Sequence, residues 1–249
     1  MRPKPLILAI ETSGRIGSVA IALGEQMLSE AHFSGPMRHS AEIFPAVDRL
    51  LNGFSRKPKE IEHIYISVGP GSFTGLRIAT AMAKTMHLAN AAKIVAVDTL
   101  DVIAANATDY IKEEKAKGLT KIATILDAKR SQFFIAVYQN KQGRWKKLMP
   151  DCLMTARQFL EKSAGNSQPI WLLGEGLVYY KDKFEADGIR FLNERYWSPR
   201  AEKVHLLGWQ KALAGQFADP LTLQPTYLRR PDIKEKRNAK QKSGAGSKD

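Results

Sequence analysis

The sequence predicts an α/β protein of two lobes built from the same order of elements. Three observations carry this. Three strands, a helix, a strand, a helix, a strand and a helix occur twice along the 249 residues, a duplication of pattern without a clear residue-level repeat. A glycine-rich turn, Val68-Gly69-Pro70-Gly71-Ser72-Phe73-Thr74-Gly75-Leu76-Arg77, sits between a strand and a helix of the first half. The apolar fraction, 44%, is ordinary for a soluble globular chain of a length that can bury a good core.

The first half opens with a strand over residues 6–12, a turn at Ser13-Gly14-Arg15-Ile16-Gly17, and strands over 18–23 and 27–33. A helix over 39–52 carries Ile43, Phe44, Val47, Leu50 and Leu51 on one face, tolerates Pro45 in its first turns and stops at Gly53. A strand over 63–68, the glycine turn, a helix over 76–89, a strand over 93–97 and a helix capped by Thr99 follow. The second half shows strands over 122–127, 132–139 and 145–149, and a helix capped by Thr155. A strand over 170–173, a helix over 177–186, a short strand over 189–192 and a last helix from Ser198-Pro199 to Ala214 complete it. The expected division is an N-terminal lobe over 1–103, a C-terminal lobe over 104–228 and a basic tail over 229–249. A duplicated unit of this order looks like the ribonuclease H-like fold shared by actin, sugar kinases and heat-shock ATPases (the ASKHA group). Their nucleotide lies between the halves, but a likeness of fold does not establish function.

The glycine turn admits two readings. Glycines let the backbone approach a ligand and a helix N-terminus offers unpaired N–H groups, so Gly69, Gly71, Thr74 as N-cap, Gly75 and Arg77 form a candidate anion site. Alternatively, the turn packs a strand tightly against a helix. The spacing is one residue too long for a dinucleotide fingerprint and lacks the Lys-Ser/Thr pair of a P-loop. Arg77 opposes the helix dipole and calls for an anion, either a phosphate or a carboxylate such as Glu11.

Glu11 and Asp127 end corresponding strands of the two halves. They could face a cleft and hold magnesium through water, or simply cap turns. Among the five histidines no pair falls at i, i+3 or i, i+4, so no helix-borne metal pair exists, and His39 at a helix start stands alone. No nucleophile elbow frames Ser72. Cys152, the only cysteine, lies in a strand-to-loop segment without a neighbouring base, and no intramolecular disulfide can form.

The formal net charge is +13, and residues 229–249 supply eight basic against three acidic residues, a net +5, with no aromatic residue. Such a tail reads as a solvated cationic extension, or as one that touches nucleic-acid phosphates without reading sequence. No apolar run approaches a membrane span or a signal peptide, which makes the cytoplasm the expected location.

Together the motifs resemble the TsaB family of bacterial tRNA threonylcarbamoyladenosine biosynthesis. They are Ile7-Leu8-Ala9-Ile10-Glu11-Thr12-Ser13, the His39-Ser40 helix start, the glycine turn, Val97-Asp98-Thr99-Leu100, Leu126-Asp127-Ala128-Lys129-Arg130 and Pro225-Thr226-Tyr227-Leu228-Arg229. The match runs over about residues 6–230, loosest in the second half. The resemblance implies a two-lobed actin-like fold and a non-catalytic, dimerizing role beside the catalytic paralogue TsaD, completed by the ATPase TsaE, with no cofactor of its own. That complex transfers a threonylcarbamoyl group from its adenylate to N6 of the adenosine next to the anticodon. The catalytic sister carries an H-x-x-x-H metal pair where this chain has His39 and Ile43, and one ligand cannot hold that metal. A glycoprotease reading finds neither zinc pair nor nucleophile. The family's interface maps to the helices over 39–52 and 76–89, with Phe44, Val47, Leu51 and Met82 as candidates. The same surface can self-pair into a homodimer, and tRNA would be met through the complex, aided by the basic tail. The alternative is a sugar-kinase-type phosphotransferase using Glu11, Asp127 and the glycine turn.

Overall fold

Two five-stranded sheets form the framework of the computed structural model, which describes residues 4–114, 118–166 and 168–228; the basic tail lies outside the described residues. The first sheet is built from β1 (Leu6–Glu11), β2 (Ser18–Leu23), β3 (Gln26–His32), β4 (Ile61–Gly69) and β5 (Lys93–Asp98), in the order β3-β2-β1-β4-β5. β1 to β3 form an antiparallel meander, with Ile7 opposite Ala22 and Ala9 opposite Ala20, while β4 and β5 run parallel to β1. The second sheet repeats this arrangement. β6 (Lys121–Asp127), β7 (Phe133–Lys141) and β8 (Arg144–Met154) form the meander, and β9 (Ile170–Leu173) and β10 (Ile189–Phe191) add in parallel on the other side of β6. Two copies of this 3-2-1-4-5 order make an actin-like fold.

Alternation along β1 decides what each face meets. Leu6, Leu8 and Ile10 point into a core shared with α1 (His39–Gly53) and α2 (Phe73–Asn90). Ile7 and Ala9 point the other way, with Ala20, Ala22, Tyr65, Val95 and Val97. That second face is covered by α6 (Ala201–Leu213), through Ala201 and Val204, and by Val102 of α3 (Thr99–Glu113). Gly208 lets α6 settle onto the Tyr65 ring, since a Cβ there would stand 2.5 Å from Tyr65 Cδ2. The last helix, expected in the second lobe, therefore belongs to the core of the first. So does the segment after it: Ala218 bridges to Ile94 and Leu223 is buried among the first-lobe residues.

The second sheet packs on α3 through Leu100, Ile103, Ala104 and Ala107. Its core also holds Phe133, Phe184 and Phe159 in edge-to-face contacts at 4.9 and 6.0 Å, Phe159 coming from α4 (Ala156–Ser163). Thr155 caps α4 in a capping box with Gln158, as its sequence predicts. Other local expectations differ. α3 is capped by Asp98, whose carboxylate accepts from Leu100 N at 3.1 Å, and Thr99 is already helical and buried. Gly53 is the last residue of α1, and the chain turns left-handed at Ser55 instead. The helix expected over 177–186 is only α5 (Leu177–Tyr180), followed by a 3₁₀ turn, Lys181–Phe184, as Tyr180 leaves α geometry at φ −135°. Cys152 lies within β8, where burial raises its thiol pKa and Sγ donates to the Ile135 carbonyl at 3.2 Å.

α3 joins the lobes. Asn106 donates to the carbonyls of Tyr196 and Ser198, and Asp109 pairs with Arg200 and Lys203 around the start of α6. At its N-terminus, Asp98, Asp101 and Asp151 converge on Lys147 of β8, at 3.0, 2.9 and 2.6 Å. Burial first, and then the charges of Asp101 and Asp151, push the Asp98 carboxyl up to about 7 against the opposing pull of Lys147. A carboxyl raised on folding favours the native state most when protonated, so its contribution is lost as pH rises from the usual carboxylate range through about 7. Asp98→Asn keeps an N-cap acceptor and removes that titration. Its melting temperature should gain on the wild type as pH goes from 5 to 8 in thermal scans, and a constant difference across that range would contradict the assignment.

Candidate functional site

The glycine turn is closed against the end of β1. A Cβ on Gly75 would stand 1.8 Å from the Thr12 carbonyl oxygen, and one on Gly71 would stand 2.5 Å from that of Ser13. Thr12 Oγ1 donates to the Gly75 carbonyl at 2.7 Å, and Ser72 N donates to the Ser13 carbonyl at 2.8 Å. Ser72, not Thr74, caps α2, accepting from Gly75 N at 3.3 Å, while Thr74 is an exposed first-turn residue. Leu76 N donates to the Ser72 carbonyl. The amides of Ser72, Gly75 and Leu76 are thus committed to this chain's own oxygens. Gly69, at φ +116°, leaves room for the Thr226 carbonyl, 2.8 Å from where its Cβ would be.

Glu11 does not pair with Arg77. It is fully buried, and its carboxylate accepts from Ser13 N at 2.6 Å and from the hydroxyls of Ser13 and Ser67. Burial raises its pKa despite these bonds, with a further push from the charge of Glu175. Arg77 answers its need for a partner with aromatic groups: its guanidinium carbon lies 3.8 Å from the Phe73 ring centroid, and Nε donates to the Tyr227 hydroxyl at 3.3 Å. Asp127 is engaged locally, accepting from Lys129 N at 2.7 Å and pairing with Lys129 Nζ at 2.8 Å. Lys129, Arg130 and Ser131 all take positive φ, a tight turn that a sequence without glycine there does not announce. His39 is buried beside Phe33, and burial lowers its pKa against the opposing effect of the Gly14 backbone. Among the described residues no group of three or more His, Cys, Asp or Glu converges as metal ligands would.

Glu175 is the residue that sequence reasoning missed. It lies between Gly174 and Gly176 after β9; Gly174 is at φ +125° and a Cβ there would meet the Ile125 carbonyl at 2.3 Å. Glu175 reaches across to the β1–β2 turn and accepts from Arg15 N at 2.6 Å and from Ser198 Oγ at 2.8 Å, and its pKa is raised by burial. The Arg15 guanidinium donates to the Tyr179 hydroxyl at 2.7 Å and lies 4.8 Å from that ring's centroid. The Gly-Glu-Gly triplet following a strand was the available sign. At the β1–β2 turn, then, a carboxylate of the second lobe takes a backbone amide, and the nearby acid is Glu11.

Of the interface candidates, Val47, Leu51 and Met82 are buried in the first-lobe core, because their helical spacing directs them onto the sheet. Phe44 points away from it and is 64% exposed; Met37 and Phe73, elsewhere at the starts of α1 and α2, are also exposed, at 71% and 42%.

Comparison with known proteins follows the same lines. The family model described as TsaD, tRNA N6-adenosine threonylcarbamoyltransferase, matches residues 36–214. The tRNA threonylcarbamoyladenosine biosynthesis protein TsaB of Bacillus subtilis is 30% identical over 234 residues, covering 92% of this chain and 96% of that protein. This chain belongs to the TsaB family. The Escherichia coli TsaB is 26% identical over 225 residues, covering 90% of this chain and 94% of that protein. A solved structure of YeaZ from Pseudomonas aeruginosa shares the fold, with a TM-score of 0.75 at 23% identity, over 90% of this chain and all of that one. No helix among the described residues is long and apolar enough to cross a membrane.

If the turn is packing rather than an open cradle, Gly75→Ala must part α2 from β1. It should cost at least about 3 kcal/mol, beyond ordinary overpacking, or prevent folding. Gly53→Ala, where a Cβ meets nothing within 4 Å, should leave the melting temperature level or slightly raised. Calorimetry on both variants checks this, and a Gly75→Ala protein as stable as wild type would reopen the anion-site reading.

Proposed function

We propose that this chain is the supporting subunit of the machinery that makes N6-threonylcarbamoyladenosine next to the tRNA anticodon. It pairs with a TsaD-like catalytic subunit, joins a TsaE-like ATPase in the larger assembly, and leaves the transfer chemistry to its partner. Membership of the TsaB family carries this reading, and the TsaB proteins of Bacillus subtilis and Escherichia coli are named for that biosynthesis. Exposed large apolar side chains near the starts of α1 and α2, Met37 just before α1, Phe44 within it and Phe73 at the start of α2, support it. Large apolar side chains left exposed on a folded lobe are what a partner interface draws on. In the absence of the partner the same exposed residues are available for self-pairing into a homodimer.

The kinase alternative is disfavoured by the β1–β2 turn. A polyphosphate brought there would meet buried Glu11 and Glu175, with the Arg15 amide already taken by Glu175. The glycine turn then serves as packing that fixes the head of α2, and the first lobe as the partner-binding unit.

Reconstitution tests the proposal. The TsaD-like protein of the same source, a TsaE-like ATPase, the adenylate-forming enzyme, threonine, bicarbonate, ATP and unmodified tRNA are combined with and without this chain. Modified adenosine should require this chain, and none should form when the TsaD-like protein is omitted. Equal modification without this chain would overturn the reading. Phe44→Arg leaves the core untouched and should weaken pairing by a hundredfold or more, about 2.7 kcal/mol. Isothermal titration against the TsaD-like protein reads this, and unchanged affinity would exclude Phe44 from the interface.

A further inference from the structure

The meander of β6, β7 and β8 gathers four of its cations on one face. Antiparallel partners point to the same side of a sheet, and Lys121 of β6 stands opposite Gln139 of β7, which stands opposite Lys146 of β8. Two residues further along the hairpin, Lys141 stands opposite Arg144 on that same side. With strands about 4.8 Å apart and about 3.3 Å per residue, the four cations spring from a patch of backbone roughly 10 by 7 Å. Residues of the other parity turn to α3. Tyr138 bonds Asp101, the Trp145 indole donates to Thr108 Oγ1 at 3.2 Å, and Lys147 pairs with Asp101. Because α3 packs between the two sheets, the cationic face looks away from the first lobe. The contacts among Phe133, Phe159 and Phe184 cover the far end of this face and leave Lys141, Arg144 and Lys146 exposed.

We infer that this face of the second sheet is a docking surface for the phosphate backbone of RNA. The inference deepens the proposed function and rests on it for the RNA at hand, the tRNA on which the machinery acts. Charge selects the ligand. The only acids on the three strands are Asp127 and Asp151, and each is taken: Asp127 pairs with Lys129, and Asp151 with Lys147 on the opposite side. Among the described residues Lys121, Lys141, Arg144 and Lys146 form no ion pair, and Lys121 Nζ donates to the side-chain oxygen of Asn166 at 3.0 Å. Cations on an edge strand can serve to discourage strand pairing, which would account for Arg144 and Lys146. It does not account for Lys121, since β6 is the central strand of its sheet. A protein partner would need an apolar centre and a bilayer an apolar face, but Leu148 is the only exposed large apolar residue of these strands. Their aromatic rings are buried or turned to α3, so the face holds a backbone without reading bases.

The test measures binding of fluorescein-labelled unmodified tRNA by full-length chains across a potassium chloride series. The combined Lys141→Gln, Arg144→Gln and Lys146→Gln variant removes three exposed cations of the face, and the combined Arg49→Gln, Lys59→Gln and Lys112→Gln variant removes three exposed cations elsewhere. The face variant should bind about tenfold more weakly than wild type at low salt, with a salt slope of log Kd lower by about two to three, at about 0.7–0.9 per lost phosphate contact. The control variant should keep the wild-type slope and lose about twofold at most. The charge-conserving Lys141→Arg, Arg144→Lys and Lys146→Arg variant should restore wild-type affinity and slope. A face variant with wild-type affinity and slope overturns the RNA assignment, as does an equal loss in the control or a failed rescue by the charge-conserving variant. A face variant that loses binding to phosphatidylserine vesicles while tRNA binding is unchanged also overturns it. In reconstitution the face variant should pair normally with the TsaD-like protein but need more tRNA for half-maximal modification. Modification that proceeds equally without the wild-type chain would overturn the proposed function, while the salt slopes of the isolated chains still decide the face.

Discussion

The Thr12 carbonyl oxygen occupies the space that any side chain at position 75 would need, and much of the first lobe follows from that approach. It sets the distance between the end of β1 and the first turn of α2. With Ser72 bonded to Ser13, and Glu11 bonded by Ser13 and Ser67, the ends of β1 and β4 and the head of α2 become one hydrogen-bonded block. The block holds Phe73 outward and brings Gly69 close enough for the Thr226 carbonyl to rest on it. Helix α2 therefore presents its N-terminal end as a rigid surface. Of the first-turn amides that usually make a helix start receptive to anions, that of Gly75 is turned onto the Ser72 hydroxyl.

Acids, two buried and one partly exposed, mark the junctions of this fold. Glu11 and Glu175 lie where the first turn meets the second lobe, and Asp98 lies where α3 leaves the first sheet beside Lys147 of the second. Each is held by hydrogen bonds or a single cation, and burial raises the pKa of each.

Much of this was legible in the residues. Alternation gave the strands of both sheets, the Thr155 capping box gave the start of α4, and the repeated order of elements gave the actin-like fold. The pattern of α1 marked Phe44, Val47 and Leu51 as apolar, but helical spacing alone does not say which apolar residue lies outside the buried arc. Val47 and Leu51 fall toward the sheet and Phe44 just beyond it. The partner of Arg77 was hidden because Tyr227 is distant in sequence and binds it through ring and hydroxyl rather than charge. The destination of α6 was hidden for a related reason: a helix after the second set of strands reads as part of that set, and only a Tyr65 ring beneath Gly208 reveals the other surface.

That crossing has a consequence for how the chain is made. The strands of the first sheet are all translated early, yet the roof over Ile7, Ala9, Ala20, Ala22, Val95 and Val97 arrives with Ala201–Leu213, after the whole second sheet. At about 5–20 residues per second, the ribosome takes on the order of ten seconds to close that gap. Until then Val102 of α3 is the only early-made cover among the described residues of that face. The first lobe therefore completes its core only after the second has been made, and a chain stopped before residue 201 would leave this face without its main cover.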